Sequence, residues 1–138
     1  MTDEELKQIL AQARTIASVG LSSNPSKESY GVAAYLQDQG YRVIPVNPGA
    51  DQILGSKAFP DLTSISEPID VVQLFRRSEE VLPFVQQAIQ IGAKVVWMQV
   101  GISNPEAAAL AESAGVRVVM DRCMREEHKR LIGPRSAP

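Results

Sequence analysis

Gln39-Gly40-Tyr41-Arg42-Val43, Ile91-Gly92-Ala93-Lys94-Val95 and Ala114-Gly115-Val116-Arg117-Val118 share one pattern: the end of a helix, a glycine, then a strand within two residues. A glycine just past a helix adopts the left-handed conformation that closes the helix, which most residues avoid. Working outward from these joints, five short apolar segments rich in β-branched residues occupy 15–19, 41–46, 70–75, 94–100 and 116–120, their starts 26, 29, 24 and 22 residues apart. That spacing is too long for hairpins and suits strand–helix–strand units. Several of these segments are almost continuously apolar, as strands are when both faces of a parallel sheet are covered. The expected architecture is an open α/β domain with five parallel strands wound by right-handed crossovers.

The intervening stretches carry helix signals. Thr2 and Glu5 form a capping box ahead of Leu6, Ile9, Leu10 and Ala13. A second helix is expected over 29–39, and Pro83 belongs in the first turn of a third, with Val85, Ala88 and Ile89 behind it. Asn104-Pro105-Glu106 reads as N-cap, first-turn proline and an acid at the positive helix end. The crossover from 47 to 69 holds Pro48, Gly49, Gly55, Pro60 and Pro68, so only a short helix near 62–66 is expected there. Asp121 is expected to cap a last helix.

Composition narrows the function classes. Of 138 residues, 44% are hydrophobic and 22% charged, the balance of a folded domain. The chain is expected to be one domain, 1–138, with 133–138 a frayed tail. A net charge of −2 argues against binding duplex nucleic acid. One cysteine cannot form an internal disulfide and one histidine cannot anchor a multi-histidine metal site. The acidic start and the lack of a long apolar run point to a cytoplasmic protein with no membrane span.

In such a sheet, ligands bind beyond the carboxyl ends of the strands, near the switch in strand order. After strand one, Gly20 allows a tight turn, Ser22, Ser23 and Ser26 supply hydroxyls, and Lys27 supplies a charge, but the dinucleotide pattern G-x-G-x-x-G is absent. Strand two ends Val46-Asn47-Pro48-Gly49, without the acid that an NAD site uses for the ribose. Strand three runs into Phe75-Arg76-Arg77, an aromatic followed by two guanidinium groups suited to phosphate. The alternative for these arginines is a solvated pair neutralised by Glu79 and Glu80. Gln99 interrupts the fourth strand near its end and Gly101 repeats the close-approach logic of Gly20. Cys123, at the start of the last helix, is read as structural. No paired carboxylates, nucleophile elbow, Walker lysine or metal spacing supports catalysis.

Four stretches, IASVGLSSNPSKESYGVAAYLQDQGYRVIPVNPG, DVVQLFRRSEEVLPFVQQAI, KVVWMQVGISNPEA and MDRCMREEH, resemble the small stand-alone coenzyme A-binding proteins of bacteria. The resemblance covers the chain from strand one to the last helix. It implies a Rossmann-like three-layer domain, similar to the CoA-binding domain of the succinyl-CoA synthetase α subunit, with an expected strand order of 3-2-1-4-5. It further implies that Gly20, Leu21 and Ser22 meet the pyrophosphate and pantetheine. Val46, Asn47, Pro48, Phe75, Arg76 and Arg77 would hold the adenosine, and Gln99 to Gly101 would border the pantetheine arm. No catalytic residue is carried over, since the only histidine, His128, matches no phosphohistidine motif.

The expected function is therefore non-catalytic binding of coenzyme A or acyl-CoA, as a carrier, sensor or regulatory module. Backbone donors at 20–23 would take the pyrophosphate and Arg76 with Arg77 the 3′-phosphate. The alternative is a small NADP-dependent oxidoreductase whose arginines hold the 2′-phosphate, and a third reading makes Cys123 a site of mixed-disulfide formation with CoA. A homodimer or a protein partner is left open.

Overall fold

A computed structural model describes residues 1–134, so residues 135–138 of the expected tail lie outside the described residues. In chain order the elements are α1 (Asp3–Gln12), β1 (Thr15–Val19), α2 (Glu28–Asp38), β2 (Arg42–Val46), β3 (Gln52–Ile53), β4 (Ser56–Lys57), β5 (Val71–Leu74), α3 (Leu82–Gln90), β6 (Val95–Met98), α4 (Pro105–Ser113), β7 (Arg117–Val119) and α5 (Met124–Leu131). The five apolar segments of the sequence are β1, β2, β5, β6 and β7, and all pair in parallel.

Each glycine joint closes its helix in the same way. Gly40, Gly92 and Gly115 have φ of 98°, 75° and 83°. The N–H of the next residue then reaches back to the carbonyl five positions earlier: Tyr41 to Leu36 at 3.1 Å, Ala93 to Ala88 at 3.0 Å and Val116 to Ala111 at 2.9 Å. These Schellman closures satisfy the last helical carbonyls and aim the chain into the next strand. At the other ends, Thr2 and Glu5 complete a capping box, and the Asn104 side chain accepts from the Ala107 N–H at 3.0 Å.

The sheet has helices on both faces. Ala17, Val19, Val72, Leu74, Val96 and Met98 face α3 and α4, where Val85, Ala88, Ala107 and Ala111 are buried. Ile16, Val43, Val71, Val95 and Trp97 face α1, α2 and α5 through Leu6, Leu10, Val32, Leu36 and Met124. Alternate residues of each strand thus supply two separate cores. This accounts for the continuous apolar runs.

The order of the sheet is β2-β1-β5-β6-β7, which in terms of the five apolar segments is 2-1-3-4-5. The expected 3-2-1-4-5 is corrected on this point, although the α/β three-layer class stands. The local reason is Pro45. Its carbonyl points away from β1 and accepts from the Phe59 N–H at 3.0 Å, so the N–H it lacks would also have faced outward. A proline there leaves β2 one ladder donor short and suits it to an edge. The crossover from β2 therefore runs back past β1. It carries the β3–β4 hairpin, turned by Leu54 and Gly55 at positive φ, and a single 3-10 turn, Leu62–Ser64, where a short helix is expected.

Asp70 locks β5 against β1. Its Oδ2 accepts from the N–H groups of Arg14 at 2.8 Å and Thr15 at 3.0 Å. Its own N–H donates to the Thr15 carbonyl at 3.0 Å. Burial works against the charge, but these N–H groups and Lys94 outweigh it and hold the carboxyl below its ordinary range. We expect Asp70→Ala to destabilise the fold by about 1–3 kcal/mol, and Asp70→Asn by less because an amide oxygen still accepts. Urea unfolding of the two variants checks this, and equal losses would contradict it.

His128 offers a second test. The residue is 5% exposed, its Nδ1 shares a hydrogen bond with the Tyr35 hydroxyl at 2.8 Å, and burial lowers its pKa. A depressed folded value means that the unfolded chain takes the proton first. The contribution is therefore full above the unfolded value of about 6.5 and is lost as the pH falls from there through the folded value. The thermal midpoint of the natural protein should drop more between pH 7.5 and 5.5 than that of His128→Gln, and parallel pH profiles would refute the assignment.

Candidate functional site

With β5 beside β1, the loops that follow these two strands lie side by side at the carboxyl edge. Gly20 leaves β1 at φ +84°, and its N–H donates to the Val46 carbonyl at 3.0 Å. A Cβ there would sit 3.2 Å from Arg76 Cδ and 3.4 Å from Phe75 Cβ, so the stem of Arg76 lies directly against this turn. Only glycine permits both the backbone angle and the contact.

The rest of the first loop is held by its own hydrogen bonds. The Ser22 N–H donates to Ser29 Oγ at 3.0 Å, Ser22 Oγ accepts from the Asn24 N–H, and Asn24 Oδ1 accepts from the Ser26 N–H and hydroxyl. Two of the backbone donors expected for a ligand, those of Gly20 and Ser22, are therefore already engaged. Leu21 is fully buried in the core, backbone included. Ser23 and Lys27 are exposed. Asn47 joins the second loop to the first: its Nδ2 donates to the Leu21 carbonyl at 3.0 Å and its Oδ1 accepts from the Gly49 N–H at 2.8 Å. Val46 is buried and Pro48 exposed.

The loops after β5 and β6 enclose a cleft of about 460 Å³ lined by Phe75, Arg76, Arg77, Gln99, Gly101 and Cys123, among others. Five residues expected from the sequence, namely the first five of these, come together here. Gly20 touches them through Arg76 and Phe75, whereas Leu21, Ser22, Ser23, Lys27, Val46, Asn47 and Pro48 form the adjoining loops rather than the cleft wall. Both arginines are engaged. Arg76 Nη2 donates to Glu80 Oε2 at 2.7 Å, and Arg77 Nε donates to Glu80 Oε1 at 2.8 Å and lies 3.5 Å from Glu79 Oε1. The hydrogen bonds from Arg77 and Arg76 hold the Glu80 carboxyl down at about 2.

Two features escaped the sequence reading. First, Ser18 Oγ donates to Gln73 Oε1 at 3.0 Å, Gln73 Nε2 donates to Gln99 Oε1 at 3.1 Å, and that same oxygen accepts the Met124 N–H at 3.0 Å. This buried polar chain ties three strands to the start of α5 and fixes the Gln99 amide. Its signal was present: a polar residue near the carboxyl end of strands one, three and four. Second, Asp121 does not cap α5. It has φ 57° and its Oδ1 accepts the Gly101 N–H at 2.7 Å, while Cys123 takes the cap position without a side-chain bond. Cys123, read as structural with mixed-disulfide formation with CoA as the other reading, is buried and borders the cleft.

Among the described residues no three His, Cys, Asp or Glu side chains gather where a metal could sit, and no helix is long and apolar enough to cross a membrane.

Comparison with known proteins agrees with this geometry. An uncharacterized protein of Bacillus subtilis, YneT, is 42% identical over 124 residues, covering 90% of this chain and 92% of that protein. The solved structure of a hypothetical protein from Pyrococcus horikoshii superposes with a TM-score of 0.93 at 43% identity, covering 96% of this chain and 94% of the other. The ADP-forming acetate–CoA ligase of Methanocaldococcus jannaschii is 30% identical over 69 residues, which are 50% of this chain and 10% of that enzyme. The profile of the CoA-binding domain matches residues 14–129, nearly the whole sheet and its helices, and the chain belongs to that family.

Proposed function

We propose that the protein binds coenzyme A or an acyl-CoA at the cleft beyond β1, β5 and β6, without chemistry of its own, as a carrier, sensor or regulatory module. The observation that carries this is the placement of Arg76 and Arg77 on the cleft wall next to the Gly20 turn. Coenzyme A joins a pyrophosphate to a 3′-phosphate. A glycine turn against which backbone and ligand can close, with two guanidinium groups beside it, matches that charge pattern. β2 ends in Val46-Asn47-Pro48 without a carboxylate, so the site lacks the group that would favour an unphosphorylated nicotinamide nucleotide.

In this arrangement Arg76 and Arg77 contact the 3′-phosphate, the Gly20 turn approaches the pyrophosphate, and the pantetheine arm passes Gln99 and Gly101. The Gln99 oxygen is held by Gln73 and Met124, which leaves its amide N–H₂ as the donor available on the cleft side.

Thermal unfolding with CoA, dephospho-CoA, NAD and NADP in parallel provides the test. A ligand present at about 100 times its Kd should raise the midpoint by several degrees. CoA should do so, dephospho-CoA less, and NAD not at all. Replacing both arginines by alanine should weaken CoA by about a hundredfold or more and leave dephospho-CoA nearly unchanged, since each charge-assisted contact is worth roughly one to two orders of magnitude. An equal loss for both ligands would remove the arginines from this role, and a shift with NADP alone would favour the small oxidoreductase instead.

A further inference from the structure

We propose that Glu80 sets the affinity of the cleft for a terminal phosphate: its carboxylate occupies the Arg76–Arg77 pair as an internal counter-ion, and a ligand phosphate must displace it. The proposal rests on the assignment of those arginines to the 3′-phosphate of a CoA-type ligand.

The geometry is that of a placed carboxylate rather than a chance surface pair. Its two oxygens are divided between two guanidinium groups, Oε2 to Arg76 at 2.7 Å and Oε1 to Arg77 at 2.8 Å. The turn that presents it is anchored. The Glu80 N–H donates to the Arg77 carbonyl at 2.8 Å, Ser78 Oγ accepts the Ser103 N–H at 2.9 Å, and Asn104 Nδ2 donates to the Ser78 carbonyl at 3.0 Å. Val81, the next residue, is fully buried. The backbone position from which Glu80 reaches both arginines is thus fixed. Glu79 lines the same cleft, and Glu28, also on its wall, is paired with Arg125 at 2.7 Å, so the arginines present little net positive charge while Glu80 holds them.

A carboxylate carries one charge on two oxygens. A terminal phosphate monoester carries close to two charges on three oxygens at neutral pH. In exchange for Glu80 the monoester gains, whereas a phosphodiester or a carboxylate gains little. The internal carboxylate therefore lowers the affinity of any anion that takes the arginine pair and leaves untouched the affinity of a ligand that does not reach it.

Isothermal titration of the full chain and of Glu80→Gln with CoA and with dephospho-CoA, at one fixed salt concentration, tests this. Glu80→Gln should bind CoA about three- to tenfold more tightly and dephospho-CoA with unchanged affinity. Glu79→Gln, which loses only a 3.5 Å contact to Arg77, should change CoA affinity by less than about twofold. If the natural protein prefers CoA to dephospho-CoA but Glu80→Gln binds CoA equally or more weakly, the counter-ion role is overturned while the arginine assignment survives. If the natural protein does not distinguish the two ligands, the arginine assignment fails and the proposal with it. Glu80→Ala repeats the measurement without any hydrogen-bonding group at the position and should shift CoA affinity in the same direction as Glu80→Gln.

Discussion

The pairing of β1 with β5, locked at its start by the Asp70 carboxylate, is the constraint on which the remainder of the molecule depends. It sends β2 to one side and the β5-β6-β7 run to the other, so that strand order reverses between β1 and β5. At such a reversal the two loops diverge above and below the sheet and leave a crevice between them. In the order 3-2-1-4-5 the arginines would have stood two strands from Gly20, about 10 Å across the sheet. In the observed order they are neighbours, and Arg76 lies against Gly20 itself. Correcting the strand order is therefore what brings the phosphate-facing residues into one place.

Local features were legible in the sequence because they are encoded within a few residues. The Schellman closures at Gly40, Gly92 and Gly115, the Thr2–Glu5 capping box and the Asn104 cap each depend on residues two to five apart. Strand order depends on contacts dozens of residues apart, and its one local sign, Pro45 inside Arg42-Val43-Ile44-Pro45-Val46, was not used. The same distinction applies at the site. Arg76 and Arg77 follow directly from a strand end. The partner that neutralises them was visible as a nearby acid, but which of Glu79 and Glu80 bridges both depends on the 3-10 turn between them. Asp121 looked like a cap because it precedes a helix, and tertiary structure gave it the Gly101 N–H instead.

The interior is not uniformly apolar where it approaches the cleft. Ser18, Gln73 and Gln99 are 0%, 0% and 5% exposed and are linked donor to acceptor, ending on the first N–H of α5. A buried amide is costly unless it is satisfied and directional once it is. The Met124 N–H can only donate, so it fixes which atom of Gln99 is oxygen and, through it, the orientation of Gln73. Gln99, the one of the three that lines the cleft, thereby has its amide oriented by residues of β1 and β5.

Pro45 has an effect beyond strand order. A five-stranded open sheet has two edges, each a row of unpaired backbone groups on which another chain could add a strand. On the β2 side Pro45 removes a donor, and the bridge from Val46 to Phe59 covers the carboxyl end of the strand. On the opposite side β7 is only three residues long. Neither border offers the long, flat ladder that strand addition requires. Two short, interrupted borders leave little backbone on which a second copy of the sheet could register.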